Sequence, residues 1–525
     1  MKNAIAILLL AAACGGPAPE PREYPPMPDD DSAGGERLQV LAREALRDGP
    51  RMLVQRSASP VVTFRVAFDS GSAEDEAGRE GVTMLTARTM AEGGAGDLTF
   101  AELSERLYPM AGRIATRVSR DQTVFVGQVH RDHAAAFYEL FRDVLLRPRM
   151  EDDDFARIRQ QVTTELAVNL RNADDEELGK ESLQAFLYAG HPFGHPALGT
   201  EAGLARVQAD DARAHRARFF CAGRATVGIT GDFPEGLAAQ AERDIGRLSS
   251  DACVGRAILP APTAPEAPRV LLVHKPSAQS TAVSMGFPID VTRAHPDYAA
   301  LTLVASYLGQ HRQFVGRLMQ QIRGERGLNY GDYAYAEHFT QEGWSRFPVP
   351  NDGRRQQYFS IWLRPLRPET AHFAIRLAVR ELRRVASEGL TQAELDHVRG
   401  FIQQYFALYL QTAGRRLGFA MDDAFYGADG DYLERMRAAW ASLTLEQVNA
   451  AIRRHLRPER LSIAVVVADS EAFATALASD TPSPITYEAE VPAAVLEEDR
   501  AIVEYPLGIP RDRIQIVPLA DMFAR

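Results

Sequence analysis

The chain has 525 residues, too many for one hydrophobic core, so two or more domains are expected. Apolar residues at 46% and charged residues at 25% exclude general disorder, collagen and a polytopic membrane protein. A net charge of -11 argues against nucleic acid as a partner, and three cysteines exclude a disulfide-dense scaffold or a four-cysteine zinc site.

In chain order, Lys2 gives a short positive start and Ala4 to Ala13 form an unbroken apolar run. The run is too short to cross a bilayer and suits a secretory signal over residues 1–13. Ala11-Ala12-Ala13-Cys14 resembles a bacterial lipobox, with Ala11 where Leu is commoner. The resemblance implies cleavage before Cys14 and acylation of its thiol. An ordinary signal peptide and a chance buried cysteine are the alternatives. Gly15, not Asp, follows the cysteine, which points to an exported lipoprotein of the cell envelope, anchored in the outer membrane and facing the periplasm. Residues 14–48 then read as a tether, with prolines at 17, 19, 21, 25, 26 and 28 that favour extended chain.

The body is one pattern written twice. Val61 to Asp69 reads as a strand, Gln122 to Val129 as an alternating one, and Ala134 to Leu146 and Met150 to Leu166 are helical. The second half repeats this with Thr281 to Asp290, Gln357 to Leu363, Glu369 to Ala386 and Thr391 to Leu410. Thr200 to Asp232 and Met436 to Asp469 each run helix, break, then a strand ending in Asp. The fold class is therefore α+β, two homologous sandwich domains in tandem over residues 49–258 and 270–480. Four prolines mark residues 259–269 as the linker. Residues 481–525 lack a helical period and are expected to form an extended arm, with Ile514 to Val517 available as a strand. Cys221 and Cys253 are free to be a disulfide or two buried thiols.

Three segments carry a family resemblance. They are His191-Pro-Phe-Gly-His195-Pro, Arg323-Gly-Glu-Arg-Gly-Leu-Asn-Tyr330, and Gly81-Val-Thr-Met-Leu-Thr-Ala-Arg88. Together with the duplication, they resemble the pitrilysin/insulinase family of zinc metallopeptidases over about residues 50 to 480. Active members carry His-x-x-Glu-His on a helix. The two imidazoles at i and i+4 share a face and hold zinc, and the glutamate deprotonates water. Here Met84, Ala87 and Arg88 stand at those positions, and only Glu165 keeps the register of the later ligand. A thioether, a methyl group and a guanidinium cannot replace two imidazoles and a base. Arg88 and Glu165 are placed to pair with each other instead.

The remaining histidines offer no substitute set. His130 and His133 follow a strand as surface residues, His191 and His195 lie in a Pro/Gly loop, and His338 lacks a second histidine nearby. No Gly-x-Ser-x-Gly elbow occurs, and Gly93 to Gly96 lack the Lys-Ser/Thr of a phosphate loop. In active relatives the Arg and Tyr of the second half grip the substrate backbone. Arg323 and Tyr330 keep that spacing, and Tyr330, Tyr333 and Tyr335 suggest an aromatic strand facing a cavity. The resemblance thus implies a non-catalytic subunit that pairs with an active zinc peptidase homologue, binds peptides through Arg323 and Tyr330 in a shared chamber, and needs no cofactor of its own. A stand-alone peptide-binding or scaffold lipoprotein, and a zinc endopeptidase with atypical ligands, are the other readings.

Overall fold

A computed structural model of the protein describes residues 42–525, except 249, 250, 342, 344, 429, 488 and 489. The signal segment, Cys14 and the tether up to residue 41 lie outside the described residues.

Two sheets repeat one topology. The first contains β1 (Arg51–Arg56), β2 (Val61–Phe68), β3 (Arg113–Val118), β4 (Thr123–His130) and β5 (Ala225–Gly231), in the order β1-β5-β2-β4-β3. The second contains β6 (Arg269–His274), β7 (Thr281–Ile289), β8 (Asp332–Tyr335), β9 (Gln357–Leu366) and β10 (Ser462–Val467), in the matching order β6-β10-β7-β9-β8. Among these ten strands β1 pairs parallel with β5 and β6 with β10, Arg51 opposite Thr226 and Arg269 opposite Ser462, and the other pairs are antiparallel. The expected pair of homologous α+β halves is what the strands build.

The central strands are apolar on both faces because both faces are covered. In β10 all of Ser-Ile-Ala-Val-Val-Val is buried. One face of the first sheet receives Phe137, Phe141 and Val144 from the helix Ala134–Leu146, spaced at helical intervals. The other face is covered from the opposite half. Helix Ala413–Tyr426 sets Leu417 and Met421 against Ala67 and Val124, and a Cβ on Gly228 of β5 would lie 2.6 Å from Met421 Sδ. Reciprocally, helix Asp175–Leu187 of the first half lays Leu183 and Leu187 on Tyr358 and Ala464 of the second sheet. Each half lends a helix to the other, so the described residues form one body.

The segment 481–525 is not an extended arm throughout. It holds a helix, Ala493–Val503, and β11 (Ile514–Pro518), which adds parallel to β6 with Ile514 opposite Val270. The helix buries Val495, Asp499 and Ile502 at i, i+4 and i+7. Its middle member is charged, because Arg326 reaches it, and that carboxylate hid the apolar period from the sequence. Met522 and Phe523 then pack into the core of the first half.

Cys221 and Cys253 are bonded to each other, closing a loop of sequence separation 32. By loop-closure entropy such a bridge stabilises by roughly 3–4 kcal/mol. Reduction, or Cys253→Ser, is expected to lower the unfolding free energy of the first half by that amount, read from urea unfolding with and without reductant.

Candidate functional site

The helix Val82–Glu92 begins at Asp75. This half-buried carboxylate accepts the Gly81 and Thr83 amides at 2.6 and 3.0 Å and the Thr83 hydroxyl at 2.5 Å. Burial pushes its pKa up to about 7 in spite of those donors. Its unfolded value is near 3.8, so between about pH 4 and 7 the folded chain keeps a proton that the unfolded chain has released. Stability from this group therefore falls as pH rises through that window. Relative to Asp75→Asn, the wild-type unfolding free energy is expected to decline from about pH 4 to 7 and to be level below it, in urea titrations at each pH.

One turn into the helix, Met84 borders a cavity, Ala87 is fully buried in the core, and Arg88 lies on the same face as Met84. Arg88 Nη1 donates to Glu165 at 2.8 Å, and its Nε donates to Glu92 at 3.0 Å. Burial would lower the Arg88 pKa, but the bonds and charges of Glu92 and Glu165 outweigh it and raise the pKa. Glu165 opens the π-helical stretch Glu165–Ala173 that continues the helix Asp152–Thr164. Glu92 joins the pair through its i+4 spacing from Arg88, a signal the sequence itself carries. These residues do not fit zinc. The one carboxylate in register is spent on a guanidinium, neither helix position offers an imidazole, and position 87 holds no base.

The cavity beside Met84 and Glu165 has a volume of 390 Å³ and lies where the halves meet. Arg117, Arg120, Asp174, Glu177 and Glu181 come to it from the first half, and His338, Thr340, Asp352 and Arg354 from the second. Arg120 pairs with Glu181 at 2.7 Å. His338 Nε2 meets Thr340 Oγ1 at 3.0 Å and Asp352 at 3.3 Å, while its Nδ1 meets the Tyr358 hydroxyl at 3.1 Å. With Asp352 on the same nitrogen as the hydroxyl, this is not the Ser-His-Asp arrangement, in which the acid orients the far nitrogen. Burial holds the His338 pKa below its ordinary value. His338 has no second histidine nearby in sequence, and the fold alone brings Asp352 and Tyr358 to its ring.

Arg323 and Tyr330 do not border this cavity. Arg323 sits on the π-helical turn Met319–Gly324 with its guanidinium 4.4 Å from the Phe314 ring centre and no carboxylate paired with it among the described residues. Tyr330 is 78% exposed. Tyr333 and Tyr335, expected to face a cavity, are instead buried with Met319, Phe339 and Trp362, and only Tyr335 borders a small space of 80 Å³. The strand β8 is packed against its own half on both faces, which is what turns those two phenols inward.

The other histidines behave as packing or surface groups. His191 Nδ1 accepts the Phe193 amide and its Nε2 donates to the Pro260 carbonyl, each at 3.0 Å, while His130 and His133 are exposed. Among the described residues, three metal-type ligands gather only at His295, Asp297 and His455. They are already bonded within the chain. His295 Nδ1 accepts the Asp297 amide at 3.0 Å, and the Asp297 carboxylate takes His455 at 2.8 Å and Arg454 at 2.8 and 3.0 Å.

Two family profiles match the chain. The profile of insulinase, peptidase family M16, matches residues 51–201, and that of the peptidase M16 inactive domain matches residues 206–400. The chain belongs to the insulinase family of peptidases and their homologues. An uncharacterized zinc protease of Mycobacterium tuberculosis is 25% identical over 70% of this chain and 79% of its own length. A protein named as a non-peptidase homolog from Helicobacter pylori is 21% identical over 78% of this chain and 89% of its own length. Among solved structures, a peptidase M16 inactive domain from Pseudomonas fluorescens superposes with a TM-score of 0.69 at 23% identity, covering 81% of this chain and 98% of that one.

Proposed function

We propose that this protein is a non-catalytic insulinase-family subunit that pairs with an active zinc peptidase homologue and helps to hold peptide substrates in a chamber the two share. The observation that carries this reading is the Arg88 guanidinium, bonded to Glu92 and Glu165 on the face of the helix where zinc would sit. The chain supplies no zinc of its own in this reading, and its partner supplies the metal and the base. Its contribution comes from the second half. There Arg323 has no ion-pair partner among the described residues and Tyr330 is open to solvent, so a rigid fork of donors and a phenol remain available to a peptide backbone. The name of the Helicobacter relative as a non-peptidase homolog agrees with it.

The same reading places the mature chain outside the cytoplasm, held to the outer membrane by acyl chains on Cys14 and facing the periplasm. The Cys221–Cys253 disulfide supports an oxidising compartment. Co-expression with an insulinase-family homologue that carries an intact His-x-x-Glu-His tests the assignment. The two chains are expected to co-purify with peptidase activity, and Arg323→Ala is expected to lower kcat/KM about tenfold or more, the scale of one lost charge-assisted hydrogen bond. Failure of the chains to associate, or unchanged activity in the variant complex, would overturn it.

A further inference from the structure

The first half holds a second cavity, of 480 Å³, which shares no residue with the one beside Met84 and Glu165. Three pieces of chain meet at it. They are the end of the helix Ala134–Leu146, the end of the helix Ala209–Phe219 with the cysteine that follows, and the segment after the helix Leu237–Ile245. Leu146, Phe220, Leu248 and the disulfide-bonded Cys221 give it an apolar wall. Its charged residues are Arg216 and Arg247, and no carboxylate among the described residues borders it.

Arg216 has one duty that the fold explains. Its Nη2 donates to the Leu145 and Leu146 carbonyls at 3.0 and 3.1 Å, closing the end of that helix. The rest of the guanidinium is unused. Among the described residues its Nη1 has no hydrogen-bond partner, its Nε is buried without one, and no carboxylate lies within 4 Å. Burial is the only influence on its pKa, which it lowers. A half-buried guanidinium with open donors and no counter-charge is costly unless an anion reaches it. The Arg247 side chain is 72% exposed, and its ion-pair partner, Asp244 at 3.3 Å, also accepts the Tyr138 hydroxyl at 3.2 Å. Arg247 can therefore turn to a second anion without stranding Asp244. An occupant of the cavity must be anionic at one end and apolar over the rest. A polyphosphate or a sugar would set polar atoms against leucine and phenylalanine, and a cation would meet two guanidiniums. One hydrocarbon chain ended by a carboxylate meets both demands, and the volume lies in the range of small-ligand sites.

We propose that this cavity binds a single-chain fatty acid, with the carboxylate on Arg216 and Arg247 and the hydrocarbon along Leu146, Phe220 and Leu248. The site belongs to the first half alone. It depends neither on pairing with an active homologue nor on the helix that has lost its metal ligands.

Calorimetric titration of the full chain with decanoate, decanol, decyltrimethylammonium and acetate, each kept below its micellar concentration, tests it. Decanoate is expected to bind, and the other three to bind at least tenfold more weakly. Decanol lacks the charge, decyltrimethylammonium reverses it, and acetate lacks the chain. Arg216→Gln is expected to bring decanoate down to the affinity of decanol, and Arg247→Gln to weaken it about threefold or more. Arg247 is mostly exposed, so its variant will fold and suffices by itself if the Arg216 variant does not. Absence of heat at millimolar decanoate, equal affinity for decanoate and decanol, or unchanged affinity in Arg247→Gln would each overturn the proposal. Sedimentation with phosphatidylglycerol vesicles in the absence of decanoate binding would overturn it too, since the arginines would then meet a lipid surface and not a chain inside the cavity.

Discussion

Replacing Met84 and Arg88 together by histidine is expected to give a chain that keeps about one zinc ion after dialysis, where the wild type keeps none. The two positions are one helical turn apart on one face, so two imidazoles there project side by side. Glu165 already reaches the same place, since its carboxylate lies 2.8 Å from the guanidinium that the substitution removes. Three protein ligands and a water complete the coordination of a catalytic-type zinc. The double variant is nevertheless expected to hydrolyse no peptide, because Ala87 leaves no base to deprotonate the water. Single variants separate the causes. Met84→His retains the Arg88–Glu165 bond and is expected to stay metal-free, whereas Arg88→His frees the carboxylate but offers only one imidazole. Zinc in the dialysed wild-type chain, or none in the double variant, would show that the Arg88 pair does not decide the chemistry of this helix.

How much of this was legible in the sequence depends on which side chains carried the signal. The duplicated strands β2 and β7 came through because they are short apolar runs buried on both faces, and the helix Ala134–Leu146 because its apolar period and its burial agree. The lost metal motif was legible because its positions lie within about one helical turn, and the Arg88–Glu165 pair because the family resemblance sets the register of the later ligand, 77 residues further on. Edge strands were not. In β3 every residue but the last is only part-buried or exposed, and β8 is four residues long, so neither shows an alternation. The cavity was illegible for a different reason. Arg354 and Glu177 are brought together only because each half lends a helix to the other, and no local pattern announces a contact between halves. The aromatic run Tyr330-Gly-Asp-Tyr-Ala-Tyr335 misled, since composition alone does not say that β8 is buried throughout, with Tyr333 and Tyr335 packed against Trp362.

The helix Ala493–Val503 was missed on account of a charge, and the same charge makes a strong test. Arg326 Nε donates to Asp499 and Nη2 to Glu498, both at 2.8 Å, and Nη1 donates to the Gln321 carbonyl at 2.9 Å. Its side chain is wholly buried while Asp499 is nearly so, which makes the cluster an interior ion pair and not a surface one. Removing one partner of such a pair strands the other charge, at a cost of about 3–5 kcal/mol. Arg326→Ala is expected to lower the unfolding free energy by that amount, read as a fall in the urea midpoint at unchanged slope. Pairing it with an apolar replacement of the stranded acid, Arg326→Met with Asp499→Leu, is expected to recover at least half of the loss, because no unpaired Asp499 carboxylate is then left inside. The consequence reaches the proposed peptide-binding segment. Arg326 lies between Arg323 and Tyr330 in the chain, and it is the residue that ties their loop to the C-terminal helix. In the complex with an active homologue, the double apolar variant is therefore expected to keep peptidase activity while Arg326→Ala loses it at temperatures where its body still holds native circular dichroism. Equal activity of the two variants there would mean that Arg323 and Tyr330 are held in place by something other than this buried cluster.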